Sequence, residues 1–463
     1  MSLSQQNNES KFDLFELFFS LTDKRGIIES FNKVFVRVSE FSPEELYKKP
    51  HNIIRHPDTP RAVFKLLWDV ISDQRPLCAY VKNKTKKGKH YWVFAMAFPV
   101  HSGYVSIRIK PSSIYFEKIE NLYKQMLSVE KSKTDRNEGI SLSTALLENT
   151  IKTLGFDNYE DLMKVFLVEE LQQRRRLLSS EAQGLSQETI PKISQTTKSS
   201  IAQLYNISQS CFKNSSALFQ SVLGFEKSID YFDEVAKEIK MTGHEVNLFT
   251  TNLVISADQL GQKGAVLSVV SEGFGKMAAE IKEEIEKLSA SIALVRKDHS
   301  DMKFYAAVSQ LQIEMLYFFI KEILIQGWSE DPIISENEKS DFKKKSDLLK
   351  ILVSENINKI ESQLTQFRNT FSQVSKSIQD LTSIITGMDV IKISGKIEIS
   401  RISDATQSLS NHVDTMAHLN LVFKSSISKI FDESRSALFQ FEKVGAEAGN
   451  INKELLKLNS TEL

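Results

Sequence analysis

The sequence has almost no cysteine and no excess of charge of either sign. Only Cys78 and Cys211 occur in 463 residues, and neither belongs to a CxxC or Cys/His cluster, so neither a disulfide framework nor a zinc site is expected. Lys and Arg together number 59, as do Asp and Glu, and this balance argues against a nucleic-acid partner. A reducing cytoplasm fits this composition.

The chain also lacks a long hydrophobic run. Its first residues, MSLSQQNNES, do not form the basic and then apolar segment of a signal peptide. No apolar stretch reaches the roughly 18 residues needed to span a bilayer. The nearest candidate, 316–328, is interrupted by Lys321 and Glu322. We therefore expect a cytoplasmic protein without a membrane span.

Proline is scarce and unevenly placed. Seven of the nine prolines precede residue 112, and only Pro191 and Pro332 follow. The distribution indicates that two kinds of protein are joined in one chain.

Short apolar runs alternate with turn signals between residues 12 and 112. The runs lie at 15–21, 27–31, 80–82, 91–99 and 104–109, and a helical patch lies at 43–47. Thr85–Gly88 and His101–Gly103 are typical of hairpin turns. Two strands, several short helices and a three-stranded meander follow in that order, and this layout resembles a PAS sensor domain.

A more specific pattern lies within this part of the chain. It consists of Asn32–Phe35, Lys49–Pro60 (KPHNIIRHPDTP), Phe64, Leu67–Trp68, Val81–Lys84, Gly88 and His90–Val93 before Pro99. Together these segments resemble the flavin-binding PAS domain of bacterial aerotaxis receptors. The resemblance implies an FAD cofactor. The residues that match the family's flavin-site motif are Arg55, His56, Asp58 and Trp68, with Asn32 and Asn83 as weaker candidates.

The chemistry of these side chains fits a bound dinucleotide. Prolines stiffen the backbone around Arg55, and an arginine can bind a pyrophosphate through two hydrogen bonds. Trp68, on a helical stretch, can line an apolar pocket. In the alternative interpretation, Arg55 and Asp58 form a local ion pair and Trp68 belongs to the core. Haem bound through His51 or His56, and a PAS domain without a cofactor, are further alternatives.

Residues 113–195 are predicted to form a helical linker of two or three short helices. Apolar residues have helical spacing at 114–129, 142–154 and 159–178. Arg174–Arg176 follow Glu169 and Glu170, which favours a solvent-exposed helix face over an anion-binding patch.

A seven-residue apolar repeat dominates the second half of the chain. It runs through Leu204, Cys211, Leu218, Phe225, Phe232, Ile239, Val246 and Leu253. Such a repeat predicts a long coiled-coil helix, and a returning stripe from Leu267 to Val295 completes an antiparallel hairpin. We place this hairpin at 196–327, a loop at 328–340 and a second hairpin with similar stripes at 341–463.

The bend of the first hairpin, residues 252–278, resembles the signalling tip of methyl-accepting chemotaxis receptors. That tip has a glutamate and an arginine on the surface that engages a histidine kinase and its coupling protein, and here these positions are Ser256 and Gln259. Adding 142 to residue numbers of the first hairpin reproduces the heptad phase of the second. The same offset brings Glu398 and Arg401 to the two charged positions. The resemblance implies a chemotaxis-type kinase or coupling protein as partner.

These observations predict an α+β PAS domain at 12–112, with an antiparallel sheet and short helices, followed by a long all-α coiled coil or four-helix bundle. The two hairpins can cover each other within one chain, as a monomeric pseudo-dimer, or hairpins of two chains can pair as a homodimer. No catalytic triad, phosphate-binding glycine loop or cyclase motif occurs, so no enzyme is expected. The functional hypothesis is a redox or oxygen sensor. A scaffolding protein with an empty PAS domain and a flavoenzyme are the alternatives.

Overall fold

The N-terminal part of the computed structural model is a five-stranded antiparallel sheet. The structure describes residues 8–182, 198–259, 265–326, 332–401 and 407–461. The strands are β1 Phe18–Asp23, β2 Ile28–Phe31, β3 Leu77–Lys84, β4 His90–Val100 and β5 Gly103–Ile109. Their spatial order is β2-β1-β5-β4-β3, and each pairing is antiparallel. The predicted α+β PAS layout and both predicted hairpin turns are confirmed.

Short helices connect β2 to β3. They are α1 Lys33–Ser39, α2 Pro43–Leu46, a 3-10 turn at His51–Ile54 and α3 Arg61–Ser72. Asn32 caps α1, because its Oδ1 accepts from the backbone N–H groups of Phe35 at 3.2 Å and Phe19 at 3.0 Å. Its amide nitrogen donates to the carbonyl of Leu17 at 2.7 Å. Asn32 thereby ties the start of α1 to strand β1.

Three helices follow the sheet: α4 Tyr115–Lys131, α5 Arg136–Thr153 and α6 Tyr159–Ala182. They pack against the sheet domain, although the sequence predicted a linker. Tyr80 of β3 meets the rings of Phe116 on α4 and Phe166 on α6, with centroids 5.7 and 5.8 Å apart. The buried carboxylate of Glu170 accepts from the Tyr80 hydroxyl at 2.6 Å.

The run Arg174–Arg176 divides between core and surface. Arg175 and Arg176 are exposed, as predicted. The solvent-exposed placement is wrong for Arg174, which is buried and pairs with Glu314 at 2.7 Å. The reason is that the opposite charge lies on a segment 140 residues away, which local spacing does not reveal.

The rest of the described chain is helical: α7 Lys198–Gly224, α8 Glu226–Gln259, α9 Ala265–Gln326, α10 Pro332–Arg401 and α11 Gln407–Ser460. The long helix predicted from Ile201 is interrupted at Phe225, directly after a glycine, which is a weak helix former. Residues 332–340, predicted as loop, are helical, since proline is well tolerated at the first position of a helix. None of the described helices is long and apolar enough to cross a membrane.

The chain divides into two compact units. The first comprises Met1–Ser216, Lys303–Ile357 and Asn450–Leu463, and the second comprises Ala217–Met302 and Asn358–Gly449. The sheet domain, with α4, α5 and α6, belongs to the first unit. Within it, Phe19 of β1 packs edge-on against Phe319 of α9, with ring centroids 5.1 Å apart.

In the second unit, segments of four helices pack as one bundle. Phe225, directly before α8, contacts Phe367 of α10 and Phe441 of α11, with ring centroids 6.1 and 4.2 Å apart. Gly243 of α8 lies against Ile285 of α9. A Cβ added at Gly395, near the end of α10, would lie 3.4 Å from Val270, near the start of α9, so the end of α10 and the start of α9 lie at the same end of this bundle.

Residues 142 positions apart are buried alike in the two helix pairs of the second unit. The buried pairs include Phe225 and Phe367, Ile239 and Leu381, Val246 and Met388, Phe274 and Met416, and Ile281 and Phe423. The helix ends show the same offset of 142. Helices α8 and α10 end at Gln259 and Arg401, and helices α9 and α11 begin at Ala265 and Gln407.

Candidate functional site

A cavity of about 270 Å³ lies between the inner face of the sheet and the segment that contains α3. The sheet contributes mostly small side chains, and the opposite wall combines apolar and aromatic side chains with His51 and Arg55. Its main lining residues are Ser20, Thr22, Asn83, Ala95, Ala97, Tyr104, Ser106, Arg108, His51, Ile54, Arg55, Phe64, Leu67 and Trp68. A mostly apolar cavity with a few polar groups is the usual form of a small-molecule site.

Arg108 of β5 is a buried, positively charged side chain in this cavity. The residue is only 4% exposed. Its Nη2 donates to Ser20 Oγ at 2.9 Å and to His51 Nε2, while its buried Nη1 has no partner among the described residues. Burial lowers the pKa of Arg108 to about 10, so the side chain stays charged at neutral pH. A buried cation with a free donor can bind a carbonyl or anionic oxygen of a ligand.

His51 is held neutral beside Arg108. A guanidinium only donates, so Nε2 of His51 must accept and the ring proton lies on Nδ1. Burial, together with the positive charge of Arg108, holds the pKa of His51 well below its usual range. Its ring stacks on Phe35 with centroids 5.9 Å apart. The Nε2 atom that would bind a haem iron is therefore engaged by Arg108.

Arg55 also lines the cavity, and its guanidinium faces an aromatic ring. Its guanidinium lies over the ring of Phe64, 3.8 Å from the centroid, and donates to the carbonyl of Thr59 at 3.3 Å. No carboxylate of the described residues forms an ion pair with it, so the local pair with Asp58 considered from the sequence is absent. Partial burial lowers the pKa of Arg55 from its ordinary value. Arg55 is thus a second cation available to a ligand.

Trp68 borders the cavity and is not a core residue, since 46% of it is exposed. Its indole lies beside Tyr104, with ring centroids 6.0 Å apart. It also lies against Gly26, which has a φ of 75° and whose added Cβ would be 3.1 Å from Trp68 Cη2. Only glycine combines this left-handed backbone with room for the indole.

His56 and Asp58 do not line the cavity. Asp58 pairs with Lys82 at 2.9 Å, and its backbone N–H donates to His56 Nδ1 at 3.1 Å. The backbone at Arg55 is extended and runs along the edge strand β3, so successive side chains point to opposite sides. Arg55 therefore enters the cavity while His56 points away. A role of His56 and Asp58 in flavin binding stays a prediction that this geometry does not support.

The two asparagines have different positions. Asn83 is buried and lines the cavity. Asn32 uses its side chain to cap α1 and to hold β1 in place. The residues that sequence reasoning missed are Arg108, Ser20 and Gly26. The signal for Arg108 was the alternation in Val105–Ile109, which places a charged residue on the same side of β5 as Ser106.

At the predicted partner-binding tip, Ser256 and Gln259 lie in the last turns of α8. The Ser256 hydroxyl donates to the carbonyl of Asn252 at 2.9 Å, and Gln259 is exposed. Glu398 and Arg401 belong to the last turn of α10, and their side chains lie outside the described residues.

Residues 28–106 match the family model described as PAS fold. The aerotaxis receptor of Escherichia coli (strain K12) is 38% identical over 136 residues, which are 28% of this chain and 26% of the receptor. The chain therefore spans about a quarter of the length of the curated relative that it matches. The predicted resemblance to the PAS domain of aerotaxis receptors is confirmed.

Solved structures that are similar to part of this chain include the PAS domain of a Colwellia psychrerythraea protein. It is 20% identical and the match covers 23% of this chain and 95% of that chain, with a TM-score of 0.19. The light-state structure of the LOV domain of the blue-light photoreceptor Aureochrome1 is 17% identical, and the match covers 28% of this chain and 100% of that chain, with a TM-score of 0.20.

Proposed function

We propose that the cavity binds a flavin, in the form of FAD, and that the protein is a redox or oxygen sensor that signals through its helices. The observation that carries this proposal is Arg108, a buried guanidinium in the cavity whose Nη1 has no partner among the described residues. A flavin presents carbonyl oxygens on a flat apolar ring system, and it can take up and release electrons. The identity with the E. coli aerotaxis receptor supports the resemblance from which an FAD cofactor is expected.

Different residues of the cavity would contact different parts of the flavin. Arg108 would donate to an oxygen of the ring system, and small side chains such as Ala95 and Ala97 leave room for a planar ligand. Trp68 and Phe64 would cover its apolar surface. Arg55 carries the charge that suits a pyrophosphate. Haem is less well supported, because His51 Nε2 is engaged by Arg108 and His56 does not line the cavity.

The test compares Arg108→Met with Arg37→Met, a variant of an arginine that is 55% exposed, lies outside the cavity and pairs with Glu16. Each protein is titrated with FAD and followed by flavin fluorescence. We expect Arg108→Met to weaken binding by about 10- to 100-fold, since a hydrogen bond to a charged group contributes about 1.5–3 kcal/mol. Arg37→Met should bind like the wild type, and circular dichroism should be unchanged in both. A wild type that binds no FAD, or a Soret band in its spectrum, would contradict the proposal.

The output partner in this proposal is a chemotaxis-type histidine kinase or coupling protein that binds the bundle near its bends. The supporting observation is an exposed apolar stripe at heptad spacing in α8, formed by Met241, Leu248 and Ile255, which are 67%, 51% and 52% exposed. Val390 and Ile397 of α10, 142 residues after Leu248 and Ile255, are 62% and 48% exposed. This equivalence supports an internal duplication of the hairpin.

The second tip carries the charged pair, so it is the tip that we expect to bind. Pull-downs with a chemotaxis kinase and coupling protein would compare Glu398→Ala/Arg401→Ala with Ser256→Ala/Gln259→Ala. We expect loss of binding only with Glu398→Ala/Arg401→Ala. Loss only with Ser256→Ala/Gln259→Ala would contradict this assignment, and no binding by the wild type would favour a scaffolding protein.

A further inference from the structure

Strand β1 presents neighbouring residues to two different environments within the first unit. Ser20 faces the cavity, where its hydroxyl accepts from Arg108 at 2.9 Å. Phe19 faces the other way and packs against Phe319 of α9. Adjacent residues of a strand point to opposite faces. A shift of β1 at the cavity therefore also displaces the Phe19 ring against the Phe319 ring of α9.

Lys345 of α10 joins the same place from the helix side. Its ammonium group donates to the carbonyl of Phe31, at the end of β2, at 2.9 Å. It also lies 5.9 and 5.5 Å from the ring centroids of Phe19 and Phe319, within the range of a cation–π contact. The side chain is only 10% exposed, so water screens these contacts little.

A carboxylate completes the cluster. Asp341, one turn before Lys345 on α10, pairs with it at 2.5 Å and accepts from the hydroxyl of Ser30 on β2 at 2.7 Å. Phe31, whose carbonyl binds Lys345, is the residue of β2 that stands opposite Ser20 of β1. The contacts of Lys345 and those of Arg108 thus meet at one pair of residues in the sheet.

We propose that Lys345 is a positioning residue that couples the cavity to helices α9 and α10. A change at Arg108 and Ser20 displaces β1, and the cluster of Lys345, Asp341 and Phe319 transfers this displacement to the helices. The proposal rests on the proposed function, because it takes the cavity as the place where the signal begins. Coupling between two sites is reciprocal, so loosening the cluster must also change the affinity of the cavity for its ligand.

The test uses the full chain with Lys345→Met, which keeps most of the apolar stem and removes the charge. The matched control is Lys344→Met, since Lys344 is half exposed and only pairs with Glu29 at 3.3 Å. Lys345→Arg, which keeps a cation, serves as the rescue variant. FAD affinity is measured by titration, and hydrogen exchange is followed in peptides from β1, α9 and α10 with and without FAD.

In the wild type we expect FAD to slow exchange in β1 and also around residues 313–323 and 338–349. In Lys345→Met the affinity for FAD should change by about fivefold or more, and the response of the two helix segments should be lost. Lys344→Met and Lys345→Arg should resemble the wild type. A helix response that persists in Lys345→Met, with unchanged affinity, would overturn the coupling.

A ligand-free arm separates this proposal from the flavin assignment. Arg108→Met alters the cavity without any ligand, and its effect on exchange at 338–349 is compared with that of Arg108→Met/Lys345→Met. A helix response in the single variant that is absent in the double variant supports the coupling even if the wild type binds no FAD. The same helix exchange in the wild type, the single variant and the double variant refutes it.

Discussion

Where strands β3 and β4 border the cavity, the two faces of the sheet carry side chains of different size. On the outer face, β3 and β4 carry Tyr80, Phe94 and Met96, all buried beneath helices or neighbouring rings. On the inner face, the residues that pair between the same strands include Ala79 with Ala95 and Leu77 with Ala97. Ala95 and Ala97 are only partly buried although they lie in the middle of a strand, because they border the cavity.

This difference separates stability from binding. The outer face buries large apolar side chains, and each fully buried ring contributes roughly 1.5–3 kcal/mol through the hydrophobic effect. Where it borders the cavity, the inner face lacks such contacts and holds the buried cation of Arg108, which costs solvation energy unless a ligand oxygen or a similar group offsets it. Beside the cavity, close packing is thus found on the outer face, whereas elsewhere on the inner face Phe18, Tyr91 and Val93 belong to a buried core cluster.

The largest expected effect comes from removing a ring on the outer face. Phe94→Ala should lower the free energy of unfolding by about 3–5 kcal/mol, because it leaves a cavity beside Tyr80. Ala95→Ser, one residue away on the inner face, is the control and should change it by less than about 0.5 kcal/mol. Urea denaturation of the full chain measures both. If Phe94→Ala and Ala95→Ser cost the same, the proposed division between the faces is wrong.

Much of the sheet could be predicted from the sequence, because strands, turns and short helices follow from local patterns. Apolar runs bounded by glycine and proline gave the five strands in their order. The inner cation was harder to predict. Arg108 belongs to a short alternating segment that equally suits a strand with one solvent-exposed side, and only the covering helices make it a buried charge.

In the helical part, too, local patterns predicted the apolar stripes but not the buried charges. Heptad spacing predicted the buried stripes of the bundle, since the seven-residue repeat depends only on helix geometry. It could not predict that Lys345 and Arg174 are buried, because lysine and arginine are ordinarily exposed and their partners lie far away in the sequence. Residues whose partners are distant in sequence are the ones that local patterns place on the wrong side.

A smaller effect tests the electrostatics of the inner face through pH. His51 is neutral in the folded protein because Arg108 donates to its Nε2 and because it is buried, so its pKa lies well below the ordinary value of 6.5. When the pH falls below about 6.5, the unfolded chain takes up a proton at this residue and the folded chain does not. The contribution of His51 to stability is therefore complete above that pH and decreases as the pH falls towards the folded-state pKa.

We expect the free energy of unfolding of the wild type to fall by up to about 1.4 kcal/mol per pH unit more than that of His51→Gln, between about pH 6.5 and pH 5. Glutamine is chosen because its amide oxygen can accept from Arg108 but does not titrate. Urea denaturation across this range measures the difference, with His56→Gln as a comparison, since the pKa of His56 is also lowered, mainly by burial, although His56 does not contact Arg108. Parallel pH profiles for the wild type and His51→Gln would mean that His51 is not the neutral acceptor of Arg108. The guanidinium of Arg108 on the inner face would then be held by contacts other than its hydrogen bond to His51.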